Sequence, residues 1–157
     1  MKTYKLFHVK GGLLYPLFVE TGRELGMGKW LEAGVGELAD PTHVKSPKLG
    51  KVSLRPGWHS TKVPFTDWIG KKAPDGSLVQ RKDTVWCECE VDGEEIEVTG
   101  RFGLRTVPDG WYYFKTKPNQ PFPWIISKRI LIRRKLAHEE VADICRLYDI
   151  VAQKMEE

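Results

Sequence analysis

The sequence predicts an α+β domain: a bent or split, mostly antiparallel sheet of six or seven strands, with a C-terminal amphipathic helix packed on it. Two observations carry this. Short apolar–polar alternations recur through the chain, separated by turns bearing Gly or Pro, and the clearest of them, Thr84–Val91, reads TVWCECEV. Toward the C-terminus, Val141, Ile144, Cys145, Tyr148, Val151, Ala152 and Met155 recur at spacings of three and four, predicting a helix over about 137–155. The 157 residues fit a single domain, 1–157, at roughly 150 residues per domain.

Taken in order, Thr3–Val9 alternates as a strand, with Tyr4, Leu6 and His8 on one face and Lys5, Phe7 and Val9 on the other. Gly11-Gly12 breaks it, and Leu13–Glu20 is its expected hairpin partner, with Pro16 marking an edge or bulge. Gly26–Ala33 reads equally as strand or helix. Residues 34–51 are loop-like, Val52–Arg55 is a short strand stopped by Pro56-Gly57, and Pro64–Lys72 has the proline of a helix start. Pro-Asp-Gly turns follow at 74–76 and 108–110. In Thr84–Val91, Val85, Cys87, Cys89 and Val91 face a core, and Trp86, Glu88 and Glu90 face away. Asp92-Gly93 predicts a hairpin into Glu94–Thr99. Trp111–Thr116 and Trp124–Arg134 are further strands, the second a long one.

Lys and Arg number 25 against 21 Asp and Glu, a formal net charge of +4. The charge is segregated: residues 42–72 carry +6, 82–97 carry −6, 101–135 carry +8 and 136–157 carry −4. Two basic blocks around an acidic one either focus a field on an anionic ligand or neutralise across a sheet. No apolar run approaches the roughly 18 residues of a membrane span, so no membrane partner is expected. The N-terminus lacks the apolar stretch of a secretory signal. Three cysteines (Cys87, Cys89, Cys145) cannot all pair, and the expectation is a cytoplasmic protein.

The densest candidate site is Leu54–Ile69, LRPGWHSTKVPFTDWI, where Arg55, Trp58, His59, Ser60 and Lys62 cluster after Pro-Gly. Cations and hydroxyls hold anions, an indole offers a flat face, and an imidazole moves protons. His8 on the first strand, and Glu88 and Glu90 about 7 Å apart along theirs, are further catalytic candidates. Tyr113, in the WYYFKT run, interleaves with cations as a stacking platform does. The cysteine and histidine spacings make no zinc pattern, so no metal is expected.

Two resemblances follow from these residues. LRPGWHSTKVP, with VWCECEV, DGWYYFKTKPN and PWIISKRILI, resembles an uncharacterised domain recurring in large polyvalent proteins of phages and mobile elements. That implies a host cytosol and a host macromolecule as partner. The order of elements is similar to small ADP-ribosyltransferases of the rifampin-modifying type. This resemblance implies NAD as substrate, with His8 on its ribose, Trp58 to Ser60 in the second conserved place, and one of Glu88, Glu90 or Glu94 as the acid. His8 is followed by Val9-Lys10 where that family has a small Gly-Thr pair. In such a reaction a carboxylate stabilises the oxocarbenium charge on the ribose, Arg55 and Lys62 hold pyrophosphate, and Trp58 or Tyr113 stacks on nicotinamide. The alternatives are an RNA-binding or metal-independent ribonuclease-like module using His59 as base, with Lys62, Arg55, Arg133 and Arg134 on phosphate, or a non-enzymatic inhibitor of a host defence protein.

Overall fold

A computed structural model describes residues 1–18, 20–34, 43–46, 50–53, 55–99 and 103–157, with the backbone alone for 43–46 and 50–53. In chain order the elements are β1 (Lys2–Lys10), β2 (Leu13–Tyr15), β3 (Trp30–Glu32), β4 (His43–Ser46), β5 (Gly50–Ser53), β6 (Trp58–Ser60), β7 (Lys71–Lys72), β8 (Leu78–Val79), β9 (Thr84–Glu90), β10 (Trp111–Phe114), β11 (Trp124–Ser127), β12 (Arg129–Lys135) and α1 (His138–Arg146). The architecture is mostly antiparallel sheet with one short C-terminal helix. A five-stranded sheet has the order β2-β1-β9-β12-β3, a second sheet runs β10-β11-β6, and β4-β5 and β7-β8 form two-stranded ribbons.

The longest pairing joins β1 to β9, from Lys2 opposite Glu90 to His8 opposite Thr84. Period-two alternation then divides the apolar side chains between two cores. Phe7, Cys87, Cys89 and Val91 pack on one face with Ile130 and Ile132 of β12. Tyr4, Leu6 and Trp86 occupy the other face, where Val141 and Cys145 of α1 cover them. A third cluster, Tyr112, Phe114 and Ile126, belongs to the small sheet.

Several elements differ from the expectation. The described strands are shorter and more numerous than the six or seven expected: β4–β5 pair within the stretch read as a loop, β7–β8 flank the turn at 74–76, and one run, Trp124–Arg134, serves two sheets. Trp124–Arg134 is not one strand: it breaks at Lys128, whose N–H donates to Gly110 (3.0 Å) and whose carbonyl accepts from Ala33 (2.9 Å), so β11 joins the small sheet and β12 the large one. No hairpin forms at Asp92-Gly93, since β9 already has β1 and β12 on its two edges. Residues 94–96 instead bond to Trp111, with Trp111 N–H to Glu94 O at 3.1 Å and Ile96 N–H to Trp111 O at 2.8 Å. Pro64–Lys72 starts no helix, because the Thr66 hydroxyl captures the Trp68 N–H (3.2 Å) in a local turn.

The C-terminal helix ends at Arg146 rather than near 155. Asp149 takes φ 57° and Ile150 N–H reaches back to Cys145 O (3.0 Å), closing the helix. The tail then bonds to Gln80, and Val151 stands 88% exposed instead of continuing the buried stripe. Gly26–Ala33 contributes β3. Within the loop expected over 34–51, β4 and β5 pair; 35–42 and 47–49 lie outside the described residues, as does Leu54 of the strand expected at Val52–Arg55.

One junction organises the site. The outer edge of β1 is shared: β2 pairs with its C-terminal part (His8 with Tyr15, Lys10 with Leu13), and Thr61, just past β6, exchanges two backbone bonds with Tyr4 (2.7 and 2.9 Å). The small sheet is thereby hinged onto the large one at a corner, and β2 stops short of it at Pro16.

Candidate functional site

At this corner lies a cavity of about 360 Å³, bounded by β1, the chain after β2, the Arg55–His59 approach to β6, Trp68 and Ile69, and the facing ends of β10 and β11. Its walls are aromatic: Tyr4, Phe18, Trp58, Trp68, Trp86, Phe114 and Trp124 all contribute. Among the described lining residues, Lys5, Arg55, His59 and Glu20 bring basic or acidic groups, beside the Tyr4 phenol.

The Pro56-Gly57 turn builds the polar side. Gly57 has φ 128°, and a methyl there would stand 2.7 Å from Ile126 Cγ2 and 3.0 Å from Ser127 O, so only glycine lets the chain pass this close to β11. From the turn, alternation sends Trp58 one way and His59 the other. Trp58 is anchored: it is 6% exposed, sits in the main core, and its indole N–H donates to Leu31 O at 2.8 Å. Only part of its ring is left for the cavity.

His59 is half-buried, with its ring edge against Trp124 at 5.8 Å between centroids and Nδ1 3.3 Å from Gly57 O. Burial chiefly, then Lys5 and Arg55, pushes its pKa down to about 3, against the opposing pull of the Gly57 carbonyl. The imidazole is therefore neutral at neutral pH. A carbonyl at Nδ1 places the proton there and leaves Nε2 with a lone pair. A base this weak accepts a hydrogen bond well and removes a proton poorly.

Lys5 donates to the His59 carbonyl at 2.7 Å, and burial lowers its pKa to about 8. Arg55 lays its guanidinium over Phe114, 4.1 Å from the ring centroid. Glu20 has φ 53°, bonds Arg23 at 3.5 Å and hangs over Gly34, where a methyl would collide with its carboxylate. The cavity thus joins flat apolar walls to two cations, one neutral acceptor and one exposed carboxylate.

Of the residues singled out from sequence, Arg55, Trp58 and His59 line this cavity together. The others lie elsewhere. Ser60 is fully buried on the opposite side of its strand, its Oγ without a partner among the described residues. Lys62 and Tyr113 form an exposed pair, ammonium over ring at 5.1 Å. His8 Nε2 lies 2.6 Å from Asp83 Oδ2. Glu88 sits among Lys2 (3.8 Å) and Arg134 (3.6 Å), and Glu90 between the N-terminal ammonium (3.4 Å) and Arg133 (3.7 Å). The structure therefore does not bring His8, Glu88 or Glu90 to His59. The acidic strand lies between two strands carrying cations, so the charge segregation resolves in part into cross-strand ion pairs.

Sequence reasoning missed Lys5, Glu20, Trp68 and Trp124. Lys5 did carry a signal, a charge on the same strand face as buried Phe7; Glu20 carried none. The cysteines are buried, and burial raises all three thiols, Cys87 to about 12 and Cys145 to about 11, which leaves them poor nucleophiles. Among the described residues no helix is long and apolar enough to cross a membrane. No family model, curated protein or solved structure gives a match to this chain.

Proposed function

We propose that the corner cavity binds a nucleotide, with NAD the first ligand to test, as expected for an ADP-ribosyltransferase-like protein. The observation that carries this reading is the placement of Lys5, Arg55 and the neutral His59 in one aromatic-walled cavity. Aromatic faces take a base or nicotinamide ring, and the two cations take phosphate. At about 360 Å³ the cavity is near the low end of the roughly 300–1,000 Å³ of small-molecule pockets, so it encloses one half of a dinucleotide and leaves the rest outside.

Should the bound NAD be cleaved, Glu20 is the carboxylate available to face the developing ribose charge, in place of Glu88 or Glu90. His59 then holds the ligand by a hydrogen bond. Calorimetric titration with NAD, nicotinamide mononucleotide, ADP-ribose and AMP, alongside an assay for released nicotinamide, tests both parts. Binding that weakens about tenfold or more in Arg55→Ala supports the reading. Release of nicotinamide that disappears in Glu20→Gln, with binding retained, makes the protein an enzyme; binding without release makes it a sequestering protein. Absence of binding by all four ligands overturns the proposal.

The RNA reading draws on two aromatic–cation pairs, Lys62 with Tyr113 and Lys117 with Trp68 (4.7 Å). Against it, Lys128, Arg129, Arg133 and Arg134 of the basic block are each engaged with an acid. Affinity for single-stranded RNA falling steeply with salt is the result that favours it.

A further inference from the structure

At the corner, Leu6 of β1 has no backbone partner among the described residues, and it lines the cavity. In an antiparallel ladder every second residue turns both its N–H and its C=O to the same side. Tyr4 exchanges both bonds with Thr61, while the Val9 N–H reaches Asp83 O on the β9 side (2.7 Å). Even-numbered residues of β1 therefore face its outer edge. On that edge Tyr4 has Thr61 and His8 has Tyr15; Leu6, between them, has no backbone partner among the described residues.

Neither segment that reaches this edge bonds to the Leu6 backbone among the described residues. Continued by two residues, β2 would bring Leu17 opposite it, but the strand ends at Tyr15 before Pro16 and the chain bends. Followed back from Thr61, the register sets His59 of β6 opposite Leu6, but the His59 carbonyl accepts instead from the Lys5 ammonium at 2.7 Å. Leu6 is 4% exposed and lines the cavity. A peptide donor and acceptor buried without partners are costly, and a ligand supplying both recovers that cost.

We infer that the Leu6 backbone N–H and C=O recognise a planar edge carrying an acceptor beside an N–H donor, the chemistry shared by an aminated nucleobase and a primary carboxamide. One open residue is too short for an added peptide strand, which pairs along several residues. It suits a single flat group standing between the aromatic walls, with the ligand's anionic part toward Lys5 and Arg55. This deepens the nucleotide reading and rests on it for the anionic part alone.

The test is nuclear magnetic resonance on the isotope-labelled chain. In the free protein, couplings across hydrogen bonds are expected from the Tyr4 and His8 amides and none from Leu6; a coupling from Leu6 to any carbonyl overturns the inference. AMP represents the nucleobase and nicotinamide mononucleotide the carboxamide, and whichever binds is expected to shift the Leu6 amide. N6,N6-dimethyl-AMP and nicotinic acid mononucleotide lack the donor and are expected to bind about tenfold or more weakly than their parents. Nucleotide binding that moves His59 but leaves Leu6 unmoved overturns the inference and keeps the nucleotide reading. If no nucleotide binds, acetamide decides: a Leu6 shift keeps the edge and removes the nucleotide, and no shift removes both.

Discussion

The ladder of charges on β9 and β12 and the corner between β1 and β6 use the same residue types to opposite ends. On the ladder, Glu88 and Glu90 meet Arg134 and Arg133 across a strand boundary, so each charge finds its opposite beside it. At the corner, Lys5, Arg55 and His59 are drawn into an aromatic hollow with Glu20 as the acid that lines it. The first arrangement balances charge and is worth little at half-exposed positions. The second sets Lys5 and Arg55 against aromatic walls in a low-dielectric space, the condition under which an anionic ligand gains most.

Substitutions that break the corner are expected to outweigh any on the ladder. Gly57→Val should have the largest effect. It forces a branched residue into φ 128° and against Ile126 and Ser127 O, at a cost of about 2–3 kcal/mol or more, read by chemical denaturation.

Next comes His59, whose contribution depends on pH. Folding holds the imidazole neutral with a pKa near 3, whereas the unfolded chain protonates it near 6.5. Between those values the unfolded state binds more protons, so this stabilisation is complete above about pH 6.5 and is lost as pH falls toward 3. His59→Gln should therefore flatten the acid limb of the stability profile by on the order of 1–3 kcal/mol relative to the parent.

Lys5 acts on binding in the opposite sense. Its pKa near 8 means the ammonium discharges as pH rises through 8, and affinity for AMP or NAD should fall over the same range. In Lys5→Met that pH dependence should vanish and affinity should drop about tenfold. The smallest effect belongs to the ladder. Glu90→Gln should change stability by no more than about 1 kcal/mol and leave nucleotide affinity unaltered, which sharpens the contrast between the two regions.

Much of this is legible in the sequence. The alternation in TVWCECEV placed Cys87, Cys89 and Val91 in the core, and Arg55, Trp58 and His59, which follow one another around the Pro-Gly break, line one cavity. What escaped was long-range. Nothing local shows that both edges of β9 are occupied, so the turn at Asp92-Gly93 read as a hairpin. Nor does it show that the stripe after Arg146 would leave the helix to pair with Gln80. Most of the corner's other half, Lys5, Glu20 and Trp124, comes from segments far apart in sequence and brought together by the fold. The separation of His8 from His59 has the same origin, since β2 occupies the β1 edge beside His8 and ends before the cavity.

The most direct measurement follows the ring nitrogens of His8 and His59 while NAD is titrated in. Occupancy of the corner predicts a shift at His59 Nε2, with the proton retained on Nδ1 and the His8 ring unmoved. A shift at His8 with His59 silent, or no shift at either ring, would contradict the account.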